Sequence, residues 1–254
     1  MEGKSAIVSA DLMGCAMNNF CACGGGMTNQ KERPISFSAS MLCAVRESRK
    51  TMTRRLIKPQ PYIDNCNNFC WNGGNFGQSA DGIPHRNTLL TFKHKNGRRG
   101  YCPYGQVGDH LWVREAWRTE ARFDHFPPRE VPASALISYE ADYDREPNDG
   151  CRGRYRHARF MPRKFSRTAL EITDIRVERL NDISADDAQA EGIPTTVVEH
   201  TFVKCFRDKG ERDAERLKRF RQLWEKLHGP CSWDENPWIW KISFRRIEQA
   251  KEAV

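Results

Sequence analysis

The stretch Glu47-Ser48-Arg49-Lys50-Thr51-Met52-Thr53-Arg54-Arg55 sets hydroxyls directly beside cations. A threonine hydroxyl becomes a nucleophile when a neighbouring base takes its proton, and a lysine drawn out of water can be that base because its pKa falls. Arginines beside them supply fixed cations for a phosphate or a developing oxyanion. The same residues also suit an exposed edge strand, with solvated cations and threonines chosen for β-propensity. Residue types alone do not decide between these readings.

The flanking pattern says how these side chains are held. Ser38 is a suitable N-cap for a helix running to Arg49, with Met41, Leu42 and Val45 on one face. Thr51 to Ile57 reads as a strand that ends at Lys58-Pro59. Alternation puts Thr51, Thr53 and Arg55 on one side, Met52 and Arg54 on the other, and leaves Lys50 at the joint.

A carboxylate is offered far downstream. Ser184-Ala185-Asp186-Asp187 starts a helix with a serine cap and acids in its first turn, and Gly192 stops it. Glu191 thus sits at the C-terminal end, where the helix dipole opposes a second negative charge unless a cation lies near. That is a useful position for a general acid or base.

Across 254 residues, 41 Lys and Arg against 33 Asp and Glu give a net charge of +8. The balance favours polyanions, nucleic acid first. The excess is local: Arg152, Arg154, Arg156, Arg159, Arg163, Lys164 and Arg167 form a run without an acid, either a phosphate-binding surface or a solvated loop. Trp112 and Trp117 are either stacking platforms for bases or core. No apolar segment reaches the roughly 18 residues of a membrane span, and no signal segment opens the chain, so the expected location is the cytoplasm, without membrane contact. The ten cysteines are then expected as thiols. Cys66, Cys70, His85, His94 and Cys102 match no common zinc spacing, nor does Cys21-Ala22-Cys23, so neither a metal nor a cofactor is expected.

Residues 1–32, which include Gly24-Gly25-Gly26, read as a flexible leader, with Met27 as a candidate original start. Arg33 to Phe37 is the first strand. Residues 58–107 and 118–165 read as insertions, strand-like at Leu89 to His94 and Ala135 to Tyr143. Gly108 to Trp117 is a turn and strand with Leu111 and Val113 on one face, and Trp112 and Arg114 on the other. Thr168 to Leu180 is the longest strand, with a bulge or bend at Asp174. Glu211 to His228 is an amphipathic helix whose core face carries Leu217, Phe220, Trp224 and Leu227, closed by Gly229-Pro230. Pro237 to Ile247 is the last strand, and 249–254 a tail. Short strands between long loops imply an α+β domain on a curled sheet or small barrel.

Ser48-Arg49-Lys50-Thr51-Met52-Thr53-Arg54-Arg55 resembles the signature segment of ASCH domains, and Gly108-Asp109-His110-Leu111-Trp112-Val113 resembles their glycine-aspartate turn and strand. Cys102-Pro103-Tyr104-Gly105-Gln106, Trp112-Val113-Arg114-Glu115, Met161-Pro162-Arg163 and Gly229 through Trp240 look like the larger phage and prophage members. The resemblance implies a PUA-like small β-barrel with flanking helices over about 33–248, and recognition of nucleic acid or a modified nucleobase. One branch of that family is an amidohydrolase that deacetylates N4-acetylcytidine. By that likeness Lys50, Thr53 and Glu191 are catalytic, Arg55 is a substrate or oxyanion contact, and Thr51, Arg54, Trp112 and Arg114 are further substrate contacts. The other implied functions are a non-catalytic RNA- or DNA-binding module, or a phage accessory or morphogenetic protein.

Overall fold

The computed structural model of the chain describes residues 30–66, 68–71, 74–78, 102–142, 152–193, 198–199, 202–203 and 208–247. The leader up to residue 29, the strand expected at Leu89 to His94, His85 and the tail lie outside the described residues. The fold is α+β. Its main sheet has five strands: β1 (Glu32–Ser36), β2 (Met52–Leu56), β6 (His110–Arg114), β9 (Ala169–Arg179) and β12 (Trp238–Ile247), in the order β1-β6-β9-β12-β2. β1 runs parallel to β6, and the other neighbours are antiparallel.

Strand alternation gives this sheet two dissimilar faces. Inward go Ile35, Leu111, Val113, Leu170, Ile172, Ile175, Val177, Trp240, Ile242 and Phe244, closed over by Leu42 and Val45 of helix α1 (Ala39–Arg46). Ser38 caps α1 through its hydroxyl, as the sequence implied. The helix ends earlier than Arg49, because Ser48 adopts a left-handed φ of 59° and turns the chain. On the outward face Ile239 packs with Ala188 of helix α2 (Ala185–Ala190) and with Phe220 and Trp224 of helix α3 (Lys209–His228). Fully burying a side chain such as Leu42 stabilises by roughly 1.5–3 kcal/mol, so the clusters on the two faces hold the sheet between α1 and the α2–α3 pair.

The bend expected at Asp174 is a bulge: Asp174 pairs with Ser243 and Ile172 with Phe244, leaving Thr173 as the extra residue. Trp238, Trp240, Ile242 and Phe244 are all buried, as their spacing implied. Leu227 differs. It is 58% exposed, since the last turn of α3 runs on beyond the packed face that Phe220 and Trp224 cover.

The segment read as loop from 58 carries a small antiparallel sheet of β3 (Tyr62–Ile63), β4 (Asn68–Trp71) and β5 (Gly74–Gln78). Its strands are short and rich in Asn and Gly, so no alternation marks them. Trp71 joins the main core edge-on to Trp240, with ring centroids 5.8 Å apart. In 118–165 the expected strand contracts to β8 (Ile137–Tyr139), paired with β7 (Trp117–Thr119). Trp117 is wholly buried there with Val131, Met161 and Phe165, which settles it as core. A short antiparallel pair, β10 (Val198–Glu199) with β11 (Phe202–Val203), follows α2 in the chain. Among the described residues no helix is long and apolar enough to cross a membrane.

Candidate functional site

Two turns deliver Lys50 and Glu191 to the same place. After α1 the amides of Arg49 and Lys50 both donate to the Ala44 carbonyl, at 2.8 and 2.9 Å, which folds the joint tightly and sends Lys50 inward. On the other side the Ser184 hydroxyl accepts from the Asp187 amide and fixes the start of α2, while Gly192, with φ +90°, turns the chain just past Glu191. Lys50 and Glu191 then form an antiparallel backbone bridge, supported by the Thr51 amide donating to the Ala190 carbonyl at 2.9 Å.

Their side chains meet as well. Lys50 Nζ donates to Glu191 Oε2 at 2.6 Å and to the Glu191 carbonyl at 2.8 Å, and the two residues are 2% and 6% exposed. Burial pushes the Lys50 ammonium below its ordinary pKa; the charge and hydrogen bond of Glu191 oppose this, while Arg55 and Arg54 add to it. The cation that the end of α2 favours is therefore Lys50. A buried lysine with a lowered pKa is the form able to accept a proton.

Arg54 is the residue whose placement differs most from expectation. It points outward, away from Thr53, and is covered by α3, its guanidinium carbon 5.9 Å from the Phe220 ring centroid. Nη2 pairs with Asp187 Oδ2 at 2.5 Å, and Nη1 lies 3.6 Å from Glu191 Oε1. Lys241 Nζ reaches the same Asp187 oxygen at 2.9 Å and Glu178 Oε2 at 3.6 Å. Burial raises the Asp187 pKa, but the hydrogen bond from Lys241 and the Arg54 cation outweigh it and hold the carboxyl below its usual range. Among the described residues Glu191 Oε1 and Arg54 Nε are buried without a hydrogen-bond partner.

Thr53 and Arg55 lie on the opposite face of β2, in register with Ile242 and Trp240. Thr53 is buried, and its hydroxyl is hydrogen-bonded to neither Lys50 nor Glu191. Arg55 Nη2 donates to the Ser36 carbonyl at 2.7 Å. Its guanidinium carbon and Lys50 Nζ lie 5.5 and 5.6 Å from the Phe37 ring centroid, so one aromatic ring contacts both cations. Tyr104 lies near Arg55; burial raises its phenol, with Arg55 pulling the other way. The parts played by Phe37 and Ser36 had no signal in the sequence, because no spacing ties them to Lys50.

Thr51 is exposed and lines an open groove of about 460 Å³ with Ser48, Arg49, Asp186, Gln189, Ala190 and Ile193, whose walls flank the Lys50 to Glu191 bridge in the chain. Trp112 and Arg114 share the outward face of β6, half-buried, with the guanidinium carbon 5.6 Å from the indole centroid and Nη1 donating to the Arg159 carbonyl. Burial lowers the Arg114 pKa.

The basic run divides. Arg156 is buried over Trp117 and donates to the carbonyls of Phe123 and Phe126. Arg163 grips Glu32, Lys164 donates to the Val131 carbonyl, and Arg167 makes paired bonds to Glu115 and another to Asp142. Arg152 bridges by its backbone to Glu120. Arg154 and Arg159 are exposed, and neither is ion-paired among the described residues. Burial pushes the Cys102 thiol up to about 12. Among the described residues no three His, Cys, Asp or Glu side chains are placed to hold a metal ion, and His85 and His94 lie outside them.

No protein-family model, curated protein or solved structure matches this chain. What the site can do therefore rests on its own geometry. That geometry is a buried amine and carboxylate in contact, a second carboxylate oxygen without a hydrogen bond, and a hydroxyl and guanidinium on the adjoining face of the same strand.

Proposed function

We propose that this chain is a cytoplasmic, PUA-like small-barrel protein that recognises a nucleobase or nucleic acid and hydrolyses an acyl amide on cytosine. The observation that carries the reading is the 2.6 Å contact between Lys50 and Glu191, away from water and with the lysine pKa lowered. The curl of the sheet is supported by Arg55, which reaches from β2 to the Ser36 carbonyl on β1. The substrate class follows from the resemblance of the Lys50 to Arg55 segment to ASCH domains.

In this reading Lys50, as the amine, takes the Thr53 hydroxyl proton while Thr53 Oγ bonds to the acyl carbonyl carbon. Arg55 faces the oxyanion that forms. Collapse breaks the carbon–nitrogen bond, and the released cytosine amine takes the proton back from Lys50. Water then hydrolyses the threonine ester, giving the carboxylic acid and restoring Thr53, with Glu191 orienting Lys50 before and after its turn to the hydroxyl. Proton transfers of this kind contribute about 10²- to 10⁴-fold each.

The test is incubation of the purified protein with N4-acetylcytidine, followed by chromatography for cytidine. Turnover that is lost in Thr53→Val and Glu191→Gln supports the assignment. Absence of turnover across acylated nucleosides overturns it. A second reading, a non-catalytic binder, is favoured by exposed Arg154 and Arg159 beside half-exposed Tyr155 and Phe160. It requires binding of a labelled oligonucleotide that weakens as salt rises.

A further inference from the structure

We propose that Arg54 is a positioning residue for the Lys50 and Glu191 pair: anchored on Asp187, it holds the second oxygen of Glu191 and so sets how that carboxylate is shared with Lys50. The inference rests on the reading of that pair as the reactive centre, and it gives Arg54 a part that the substrate-contact expectation did not.

Its position excludes direct contact with a substrate on the inner side. Alternation along β2 sends Thr53 and Arg55 toward the core and Arg54 the other way, beneath α3, where 1% of its side chain is exposed. Its Nη1 donates to Met52 Sδ at 3.4 Å and its Nη2 lies 3.8 Å from Glu178 Oε2, and its remaining ionic partners are on α2 and its cap. Asp187 and Glu191 are four residues apart, so their carboxylates lie on one side of the helix and its cap. Arg54 stands between them, bonded to Asp187 at 2.5 Å and 3.6 Å from Glu191 Oε1.

The second distance is too long for a hydrogen bond and short enough for a strong charge interaction in a dry site. Oε1 is thus buried and open while Oε2 takes the ammonium. A carboxylate in this setting has one fixed partner and one in reserve. When Lys50 turns from Glu191 to a hydroxyl proton, Oε1 can close on Arg54, and the charge on Glu191 is not left alone in the core. The charged groups near the pair among the described residues all enter this balance: Arg55 from the inner face, Arg54 from the outer, Asp187 on α2, Glu178 on β9 and Lys241 on β12.

The proposal implies opposite responses from two variants. In Arg54→Met a cation is removed beside Lys50, so the Lys50 proton is held more tightly. In Asp187→Asn the anchor of Arg54 is lost, Arg54 moves toward Glu191 and competes with Lys50, and the proton is held less tightly. The readout is the titration midpoint of the Lys50 ammonium in the intact protein, followed by nitrogen-15 NMR of labelled lysine and assigned by its loss in Lys50→Met. The expected result is an upward shift in Arg54→Met and a downward shift in Asp187→Asn. With N4-acetylcytidine as substrate, Arg54→Met should lower kcat about 10- to 100-fold with KM little changed, as supporting partners of reactive groups do.

A rise in KM with unchanged kcat, or a Lys50 midpoint that stays put in both variants, overturns the proposal. If Arg54→Met does not fold, the downward shift in Asp187→Asn carries the test, and an unmoved midpoint there overturns it. If the native protein hydrolyses no acylated nucleoside, the hydrolase reading falls on its own, and the two midpoints still decide the role of Arg54.

Discussion

Lys50 and Glu191, 141 positions apart in the chain, are joined twice, once as an antiparallel backbone bridge and once as an ion pair at 2.6 Å. The double link ties the end of α1 and the start of β2 to the end of α2. The backbone bridge keeps the two residues side by side whichever way their side chains turn. The pair is thus both part of the fold and the centre of the proposed chemistry.

Breaking it from one side should be costly. Lys50→Met leaves a buried carboxylate without its cation, and Glu191→Leu leaves a buried ammonium, each expected to lose about 3–5 kcal/mol. The double variant removes both charges and should recover most of that loss. Urea denaturation of the four proteins measures it. A double variant as unstable as the sum of the singles would mean that the charges do not act on each other.

Stability should depend on pH in a direction set by Lys50. Its folded pKa lies below the unfolded value of 10.5, so between the two the unfolded chain binds the extra proton. Stability therefore rises with pH across that window; the contribution is complete above 10.5 and is lost as pH falls through the folded value. Relative to Lys50→Met, the native protein should gain stability as pH rises from the folded value toward 10.5. A flat difference would remove the argument. Asp187 acts at the acid end: its folded pKa lies below 3.8, so its contribution is present above that value and is lost as pH falls through the folded one. The advantage of the native protein over Asp187→Asn should shrink there.

The parts of this arrangement that were legible in the sequence are those with local causes. Ser38 and Ser184 announce helix starts through cap chemistry, Gly192 announces a stop, and alternation along Pro237 to Ile247 gives the face of each residue. Glu191 was reachable because Ser184 and Gly192 bound a short helix and leave it at the C-terminal end. What the sequence could not yield is set by long-range placement. Nothing local says that Arg54 is covered by Phe220, 166 positions later by number, or that Phe37 contacts both Lys50 and Arg55. The basic run misleads for the same reason: as a string it reads as one surface, yet Arg156 is buried and Arg167 is committed to Glu115 and Asp142.

That division has a measurable consequence. Arg156→Ala removes charged donors from the carbonyls of Phe123 and Phe126 and should destabilise by about 1.5–3 kcal/mol. Arg154→Ala and Arg159→Ala should stay within about 0.5 kcal/mol of the native protein. If nucleic acid binds this segment, those two exposed residues should weaken it without altering the melting temperature. Equal destabilisation by all three variants would contradict the assignment.

Gly192→Ala should disturb the pair without touching either member. The position has φ +90°, and an added Cβ would stand 3.0 Å from the Ala44 Cβ and 3.1 Å from the Lys50 Cβ. The left-handed backbone alone costs about 1–3 kcal/mol for such a residue. Thermal melting should register that loss, and the Lys50 ammonium signal should shift because its stem is displaced. An alanine variant with native stability and an unchanged signal would show that the turn has room to spare.

Arg55 provides the last test, because it joins strands at opposite ends of the sheet order. β1 and β2 are the two outer strands, yet Arg55 on β2 donates to the Ser36 carbonyl on β1 at 2.7 Å. Arg55→Met removes that charged donor and should lower global stability by about 1.5–3 kcal/mol. The more telling effect is local. β9 lies between β6 and β12 and keeps both neighbours, whereas β1 keeps only its ladder with β6. Native-state hydrogen exchange should therefore show protection falling further in Glu32–Ser36 than in Ala169–Arg179. A uniform fall across both strands would mean that Arg55 stabilises the fold as a whole and does not hold its edge closed.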